Sequence, residues 1–445
     1  MKKTEFLTSS KERTSYGLWF VGQNIIYMMV ISFLAIFLTD EIGLTEAIVG
    51  TLFLVARIWD AVNDPMLGAI VDKAQPKRGK FKPWINAVTL IMPIATIFLF
   101  WNFNGSGTFN VVYFYISYIV WGMLYTISDV PIFALATTMT DRPDERVSII
   151  SIGRLAAGLA SMVIGILAPQ FIANMGYQTT IIILMGVSLI TMLPLRFFVK
   201  ERILYNRSGV VTLKSMFQAV FSNKYLLIFY GSFIAITATM TSMTIAPYFA
   251  KWNMGDIGIQ TVIMATMAIP MIFLPILTPS LVRKFGKRKI FMYGIGSSII
   301  FSIIQYLIGY EQFGLFLILN ALKSIGLLSP MLMMGIFSAD CVEYGAYTSG
   351  KRNEGVVFSI QTFSTKLGSA ISGALALFVI SAFGYVGTAA VQTEQALNGI
   401  WISLSLIPIA GPIVAFILFG LYYKLSENDV DRMIKEMAAD KTIVE

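Results

Sequence analysis

A succession of long apolar stretches constrains the fold of this chain more than any other feature. Twelve such stretches follow one another along its 445 residues, each long enough to cross about 30 Å of hydrocarbon. They lie near residues 14–38, 46–71, 82–101, 111–136, 147–172, 178–198, 224–250, 257–281, 287–309, 312–337, 354–384 and 398–423. Strands of a membrane barrel need only about ten alternating residues each. The sequence therefore predicts an all-α membrane protein with twelve transmembrane helices.

The basic residues are unevenly distributed among the connections between these helices. Nearly all of them lie at the termini and in the even-numbered connections, whereas the odd-numbered connections hold only Lys251. The positive-inside rule therefore predicts a multi-pass protein of the cell (cytoplasmic) membrane with both termini in the cytoplasm. The net charge of +8 follows from this basic surface, which faces anionic membrane lipid, and it requires no nucleic-acid partner.

A long connection at residues 199–223 divides the chain into two six-helix halves. Each half carries a basic turn after its second span, "GAIVDKAQPKRGKFKPW" in the first and "PSLVRKFGKRKIFMYG" in the second. The matching turns suggest an internal duplication, as in major-facilitator transporters, although topology alone also favours basic turns there. The predicted domains are an N-terminal half (1–198), a cytoplasmic middle loop (199–223), a C-terminal half (224–423) and a cytoplasmic tail (424–445).

The stretch "RIWDAVNDP" places charges in the middle of the second span. A charged side chain at the bilayer centre costs about 2.5–3.5 kcal/mol, so these charges require a role. Asp60, Asn63 and Asp64 fall on one face of a helix and offer hard oxygen ligands to a small cation. A buried salt bridge is the structural alternative, but Arg57 can balance only one of the two aspartates.

Polar residues also interrupt the fourth, fifth and eleventh spans. In "YTISDVP", Asp129 follows Tyr125 by one turn and Thr126 adds a hydroxyl, a combination that can hold a sugar or form a hydrogen bond within the bundle. Arg154 can pair with Asp129 or contact substrate oxygens, and the sequence leaves both open. Lys366 is predicted to face the central cavity, with a snorkelling lysine as the alternative.

Five further charged residues lie outside this predicted site. For Lys323 the sequence leaves a structural and a functional role equally open. The other four lie at the predicted cytoplasmic edge and are interpreted as a gate of ion pairs between the halves: Arg146, Asp340, Glu343 and Arg352.

Missing motifs exclude several classes of function. The chain has no histidine and no GxxxxGK[ST] loop, which excludes a histidine proton relay and direct use of ATP. A single cysteine, Cys341, excludes an intramolecular disulfide. We predict a monomeric transporter rather than an enzyme, with no cofactor other than a coupling ion.

These motifs together resemble the glycoside–pentoside–hexuronide:cation symporter family. The resemblance extends over nearly the whole chain through "RIWDAVNDP", "RGKFKPW", "YTISDVP", "DCVEYGAY" and "QTFSTKLGSA". It implies a major-facilitator fold and symport of a sugar with a monovalent cation, Na⁺ or alternatively H⁺. It implies cation ligands at Asp60, Asn63, Asp64 and Thr126. It implies sugar contacts at Tyr125, Asp129, Arg154 and Lys366.

The first span departs from the pattern of the melibiose-transporting member of that family. That member has a Gly-Lys-Asp triplet where this chain reads "GQN", so Asn24 replaces an aspartate. Phe133, four residues beyond Asp129, replaces a tryptophan. With Asn24 and Phe133 as sugar contacts, we expect another glycoside, a pentoside or a hexuronide rather than melibiose.

Two other classes of function fit the sequence less well. A lysolipid carrier of the same fold would favour a dry cavity, whereas Asp129, Arg154 and Lys366 predict a polar one. A sugar sensor that does not transport would usually carry a signalling domain, and the tail after Lys424 is only about twenty residues long.

Overall fold

The computed structural model describes residues 7–73, 79–105, 107–140, 142–202, 218, 220–349 and 354–442. These residues form helices and turns without a strand, which confirms the all-α class. The helices are α1 (Ser10–Ile36), α2 (Glu46–Lys73), α3 (Lys82–Leu99), α4 (Thr108–Met139), α5 (Pro143–Phe198), α6 (Lys224–Thr239), α7 (Ser242–Tyr248), α8 (Gln260–Phe285), α9 (Lys287–Ile308), α10 (Phe313–Ser349), α11 (Glu354–Ala382), α12 (Glu394–Ser405), α13 (Ile407–Tyr422) and α14 (Glu427–Thr442).

Each of the twelve predicted spans overlaps one of these helices. Within the described residues, nine helical segments are long and apolar enough to cross a membrane. The continuous element α5 contains two of the predicted spans, joined at Gly176, whose φ of 74° interrupts the helical backbone. The prediction of a multi-pass membrane protein is confirmed, and the number of twelve spans stays a prediction.

The chain forms two compact units. The first comprises Met1–Val210, Ala250–Thr261 and Val386–Val391, and the second comprises Val211–Phe249, Val262–Tyr385 and Gln392–Glu445. The sequence did not indicate that two short segments of the C-terminal half belong to the first unit. The predicted boundaries at 198, 223 and 423 stay a prediction, and most of the middle loop lies outside the described residues.

An ion pair fixes the segment Ala250–Thr261 within the first unit. The Lys251 ammonium lies 2.5 Å from the Asp40 carboxylate, and the Trp252 indole donates to the same carboxylate at 3.1 Å. At the other end of the segment, the Thr261 hydroxyl donates to the Ile166 carbonyl of α5 at 2.7 Å. These contacts give Lys251, the one basic residue of the odd-numbered connections, a structural role.

Glycines allow α1 and α5 to pack closely in the first unit. A β-carbon at Gly22 would lie 2.6 Å from the Ser188 carbonyl oxygen, and one at Gly153 would lie 2.9 Å from the Tyr16 ring. Small residues at such crossings let helix backbones approach each other, which is the main source of helix association in lipid. The contact also fixes the position of Arg154, which follows Gly153 directly.

Carboxylates cap helix ends in the first unit. The Glu201 carboxylate accepts hydrogen bonds from the backbone N–H groups of Lys80, Phe81 and Lys82 at 2.8, 3.0 and 2.6 Å. These N–H groups are at the start of α3, where an α-helix leaves its first donors without partners. The motif "RGKFKPW" therefore has a structural role here, since it brings the start of α3 onto Glu201.

The buried carboxylate of Glu145 binds the segment that precedes α1. It is 1% exposed and accepts from the Leu7 and Thr8 backbone N–H groups and from the Thr8 and Thr140 hydroxyls. Burial opposes its ionisation, but the hydrogen bonds from Thr8, Thr140 and Leu7 outweigh it and lower the pKa of Glu145 to about 2. The charged form is therefore stabilised in the folded protein.

Replacing Glu145 with glutamine should destabilise the protein at pH 7 by about 2 kcal/mol, the contribution typical of hydrogen bonds to a charged group. The folded pKa of this carboxyl lies below its unfolded value of about 4.3, so the stabilisation is complete above about pH 5 and declines as the pH falls toward 2. The difference between the unfolding temperatures of the two proteins should therefore be constant above about pH 5 and shrink steadily as the pH falls from 5 toward 2. Glu311→Gln, at an exposed position, should match the parent protein throughout. A difference for Glu145→Gln that does not change with pH would contradict the assignment.

An aromatic core joins the helices of the second unit. Phe291, Phe337 and Phe419 come from three different helices and lie within 5.3 Å of one another, measured between ring centroids. Val430 and Met433 of α14 are buried in the same core. The tail predicted at 424–445 thus forms a helix that packs on the second unit. The sequence analysis did not identify this helix.

Lys323 stabilises a helix break in the second unit. It is fully buried, and its ammonium donates to the Gln305 side-chain oxygen at 2.8 Å and to the Leu404 carbonyl at 3.1 Å. Pro408 has no N–H group, so the Leu404 carbonyl lacks its usual helical donor four residues later. Lys323 supplies the missing donor where α12 ends and α13 begins. Of the two roles that the sequence left open, the structure supports the structural one.

Candidate functional site

The charged segment of α2 forms an internal ion pair. The Arg57 guanidinium donates to the Asp60 carboxylate at 2.9 Å, and both side chains are largely removed from solvent. Asn63, one turn further, is buried, and its amide nitrogen has no hydrogen-bond partner among the described residues. The side chain of Asp64 lies outside the described part of the chain. Arg57 therefore neutralises Asp60 at least in part, and Asn63 adds an unsatisfied polar group beside it.

A glycine on α4 lets the Asp60 carboxylate lie against the backbone of that helix. A β-carbon at Gly122 would lie only 3.2 Å from Asp60 Oδ1. Thr126, one turn further along α4, is buried and donates to the Gly122 carbonyl at 3.2 Å. Two predicted cation ligands from different helices, Asp60 and Thr126, therefore flank Gly122. The sequence could not indicate this role for Gly122.

A row of stacked aromatic rings runs along α4 beside this carboxylate. Ring centroids are separated by 6.1 Å between Tyr118 and Trp121 and by 5.3 Å between Trp121 and Tyr125. Tyr27 of α1 continues the row at 5.3 Å from Tyr125. The sequence analysis predicted a sugar contact at Tyr125. That contact stays a prediction, and the structure shows that this ring already stacks with two neighbours. The sequence analysis did not identify this row. The spacing of three and four residues between its members on α4 is the sequence signal that could have revealed it.

Gln23 contacts Asp129 across the interface of α1 and α4. Its amide nitrogen donates to Ser128 Oγ at 2.9 Å and lies 3.5 Å from Asp129 Oδ1. The next residue, Asn24, donates instead to the Phe20 carbonyl at 2.9 Å and accepts from the Ser161 hydroxyl at 3.3 Å. Of the two amides in the "GQN" triplet, Gln23 is thus the one beside the predicted sugar-binding carboxylate. It was not among the predicted site residues.

Arg154 and Asp129 lie near the same residue of α1. Both are close enough to the Tyr16 hydroxyl to act on it electrostatically, and that hydroxyl donates to the Ile132 carbonyl at 3.2 Å. Arg154 is exposed and forms no ion pair or hydrogen bond with the described residues. The direct pairing with Asp129 that the sequence left open is therefore not formed in the described structure. The guanidinium offers five donors and the carboxylate offers acceptors, so each of the two groups can bind a hydroxyl group.

Phe133 lies on the same side of α4 as Asp129. Its ring packs against Phe20 of α1 with 5.4 Å between centroids. An apolar ring surface next to a carboxylate and an amide can contact the C–H face of a sugar ring. Lys366 belongs to the second unit. Its convergence with these groups, like the other predicted sugar contacts, stays a prediction.

The predicted gate residues have partners of their own or lie outside the described residues. Arg146 donates to the Thr140 carbonyl at 2.9 Å. Asp340 forms a buried ion pair with Lys287 at the start of α9, within the second unit. Arg352 lies outside the described residues, and for Glu343 the role in a gate stays a prediction. The gate between the halves as a whole stays a prediction, and the Asp340–Lys287 pair was not foreseen.

No group of three or more His, Cys, Asp or Glu side chains that could hold a metal ion occurs among the described residues. The Asp60 carboxylate and the Thr126 hydroxyl lie on either side of Gly122, and Asn63 adds a buried amide one turn along α2. Such an oxygen set suits a monovalent cation carried as cargo better than a resident metal cofactor. Intramembrane charges of this kind mark ion and substrate pathways.

The helical fold and the charged groups within its spans define a membrane transporter. Residues 15–427 match the family described as "MFS/sugar transport protein", and the chain belongs to that family. The major-facilitator fold class is thus confirmed, and so is the prediction that the protein is a transporter rather than an enzyme.

Two relatives and one solved structure illustrate this membership. The chain is 30% identical to the "Isoprimeverose transporter" of Lactiplantibacillus pentosus, over 96% of this chain and 90% of the relative. It is 26% identical to the "Glucuronide carrier protein homolog" of Escherichia coli (strain K12), over 96% and 95%. The crystal structure of the nucleoside transporter NupG superimposes with a TM-score of 0.70 at 15% identity, over 94% of this chain and all of that one. The last similarity concerns the fold alone.

Proposed function

We propose that the protein is a cation-coupled sugar symporter of the cytoplasmic membrane that works by alternating access. The main support is the group around Gly122, where the Asp60 carboxylate meets α4 beside Thr126. Asn63 adds a buried amide on the same face of α2. Asp64 is proposed as the fourth ligand, and Na⁺ is the proposed ion because all four ligands are hard oxygen donors.

The sugar is proposed to bind next to the cation, at Asp129 and Arg154. Asp129 lies one turn beyond Tyr125 and Thr126 on α4, so cation and sugar ligands share one helix. The remaining proposed contacts are Asn24, Tyr125, Phe133 and Lys366. We propose that the protein acts as a monomer with both termini in the cytoplasm.

The coupling follows from the charge of the cation site. Without its cation, the site contains more negative charge than Arg57 can balance, which disfavours sugar binding and the change of access. One monovalent cation that moves inward through 100 mV releases about 2.3 kcal/mol, which sustains about fifty-fold accumulation of sugar. H⁺ coupling is the alternative, and it would replace the cation by protonation of a carboxylate.

Uptake of labelled sugar by purified protein in liposomes distinguishes Na⁺ coupling from H⁺ coupling. Labelled sugar should accumulate when an inward Na⁺ gradient and a membrane potential are imposed at equal pH on both sides. Accumulation with an inward H⁺ gradient in Na⁺-free buffer would identify H⁺ coupling instead. Exchange of internal and external sugar without net accumulation under either gradient would contradict symport.

Melibiose should be a poor substrate, transported at least tenfold more slowly than isoprimeverose or a glucuronide. The first span offers the neutral amides of Gln23 and Asn24 where the melibiose-transporting family member has a lysine and an aspartate. Charge-assisted hydrogen bonds are the stronger kind, and a mismatch leaves buried polar groups without partners. Counterflow with the three labelled sugars tests the ranking. The double variant Gln23→Lys/Asn24→Asp should raise melibiose transport, and rapid Na⁺-driven melibiose uptake by the unmodified protein would contradict this interpretation.

A further inference from the structure

The second unit carries an apolar groove that the proposed transport function does not use. Its volume is about 280 Å³, and it lies between α8, α9 and α10. Leu281, Tyr293 and Ile325 contribute to its walls, one from each helix. Tyr293 is 62% exposed and Ile325 is 38% exposed, so the groove opens to the surface of the helices.

Close contact between two helices forms the floor of this groove. A β-carbon at Gly294 of α9 would lie 2.0 Å from the hydroxyl of Ser329 on α10. A β-carbon at Gly326 would lie 2.3 Å from the Gly294 carbonyl oxygen. The glycines thus bring the two backbones together and leave the space above them without a side chain. The groove is therefore a consequence of this helix packing.

The serine and threonine hydroxyls that line the groove already donate hydrogen bonds within their own helices. Thr278, Ser297 and Ser329 each donate to a carbonyl of their own helix three or four residues earlier, at 2.6, 2.8 and 2.9 Å. A hydroxyl has one donor, and here each one is in use. The groove therefore offers its occupant mainly apolar surface, which suits a hydrocarbon chain.

Exposed basic residues follow the groove at one end. The turn between α8 and α9 presents Arg283, Lys284, Arg288 and Lys289, none of which forms an ion pair with the described residues. Lys284 is three residues after the groove residue Leu281, and Lys289 is four residues before Tyr293. On a helix these spacings place each lysine on the same face as its groove residue, one turn further along.

The acidic groups at this turn are engaged elsewhere. Asp340 forms its buried ion pair with the Lys287 ammonium, and Glu427 accepts a hydrogen bond from the Lys287 backbone N–H at 2.8 Å. Asp340 therefore neutralises the buried Lys287, and Glu427 caps the start of α9. Neither carboxylate therefore pairs with the exposed lysines of the turn, and these lysines are available to bind an external anion.

We propose that this groove binds one acyl chain of an anionic phospholipid whose headgroup phosphate lies against Lys284 and Lys289. An acyl chain gains little by leaving the bilayer for the groove, because both environments are apolar. Selectivity must therefore come from the headgroup, and the basic turn provides it. Each lysine near an anionic headgroup contributes about fivefold in affinity, so the pair contributes about twenty-five-fold.

The experiment measures binding of phosphatidylglycerol to the full-length, lipid-depleted protein in detergent by native mass spectrometry. The double variant Lys284→Gln/Lys289→Gln should bind it about twenty-five-fold more weakly than the parent protein. A matched control, Lys424→Gln/Lys435→Gln, removes the same charge at two exposed positions of the same unit and should bind like the parent protein. Phosphatidylcholine should bind weakly to all three proteins.

A third variant tests the groove itself. Ser297→Phe fills the groove from a half-buried position, so it should weaken phosphatidylglycerol binding while the unfolding temperature stays close to that of the parent protein. Equal binding of phosphatidylglycerol by parent and Lys284→Gln/Lys289→Gln proteins would overturn the proposal. Equal binding of phosphatidylglycerol and phosphatidylcholine by the parent protein would also overturn it. So would undiminished lipid binding by the folded Ser297→Phe variant. Formation of protein dimers in place of lipid binding would overturn it as well.

Discussion

Replacing Asp60 with asparagine should abolish uphill sugar transport, reducing the expected accumulation from about fifty-fold to none. Asp60 is the carboxylate that meets α4 at Gly122 beside Thr126, and an amide supplies no charge to hold a monovalent cation. In liposomes with an imposed Na⁺ gradient, the variant should equilibrate its sugar at most. Sodium should no longer raise its sugar affinity, as measured by equilibrium binding.

Two further variants separate loss of the cation from loss of the fold. Asparagine at position 60 removes the carboxylate that lies 2.9 Å from Arg57, and loss of the counter-charge in a low-dielectric site is strongly destabilising. Arg57→Gln/Asp60→Asn removes both charges and should remain folded but uncoupled. Thr126→Val changes no charge and should raise the Na⁺ concentration needed for half-maximal uptake. Asp431→Asn, at an exposed site on α14, is the matched control. Normal accumulation by the Asp60→Asn variant would place the coupling site elsewhere.

Replacing Asp129 with asparagine should weaken sugar binding roughly 10- to 150-fold, the range expected for hydrogen bonds to a charged group. The loss should appear both in uptake under a Na⁺ gradient and in counterflow, which needs no gradient. Protection of the protein against heat by Na⁺ alone should persist, because Asp60 and Thr126 are unchanged. That pattern distinguishes a sugar ligand from a cation ligand.

The neighbouring amide provides a control for Asp129. Gln23→Ala removes the group that lies 3.5 Å from the carboxylate but keeps the negative charge, so its effect on counterflow should be several-fold smaller. An Asp129→Asn variant with unaltered counterflow would remove this residue from the sugar site.

Local physical rules were sufficient to identify candidate site residues in the sequence, but they could not predict which of these residues contact one another. The cost of charge in a membrane identified Asp60, and helical spacing placed Asn63 on the same face. The contact of Asp60 with α4 depends on the packing of two helices about sixty residues apart, and Gly122 gives no sign of it in the sequence. Asn24 was predicted as a sugar contact because the resemblance places it where another family member has an aspartate, and that contact stays a prediction. The triplet alone could not tell that Gln23 lies beside Asp129.

The fold was predictable to a similar extent. Apolar length predicted the all-α membrane class, which is confirmed, and it located helices at all twelve predicted spans. It could not predict that Ala250–Thr261 joins the first unit, since that depends on long-range contacts such as the ion pair between Asp40 and Lys251. The final helix α14 was interpreted as part of a cytoplasmic tail, because two of its apolar residues, Val430 and Met433, are buried only by contact with the rest of the second unit.

The helix break at Lys323 sets an order of events during synthesis. Gln305 is already present when Lys323 leaves the ribosome, whereas the Leu404 carbonyl lies 81 residues later in the chain. At about 5–20 residues per second, that interval lasts roughly 4–16 s. During this time α10 carries an ammonium whose second acceptor does not yet exist. A nascent chain that ends before residue 404 should therefore insert α10 less stably in the membrane than the finished protein does, because α12 and α13 supply the second acceptor only later.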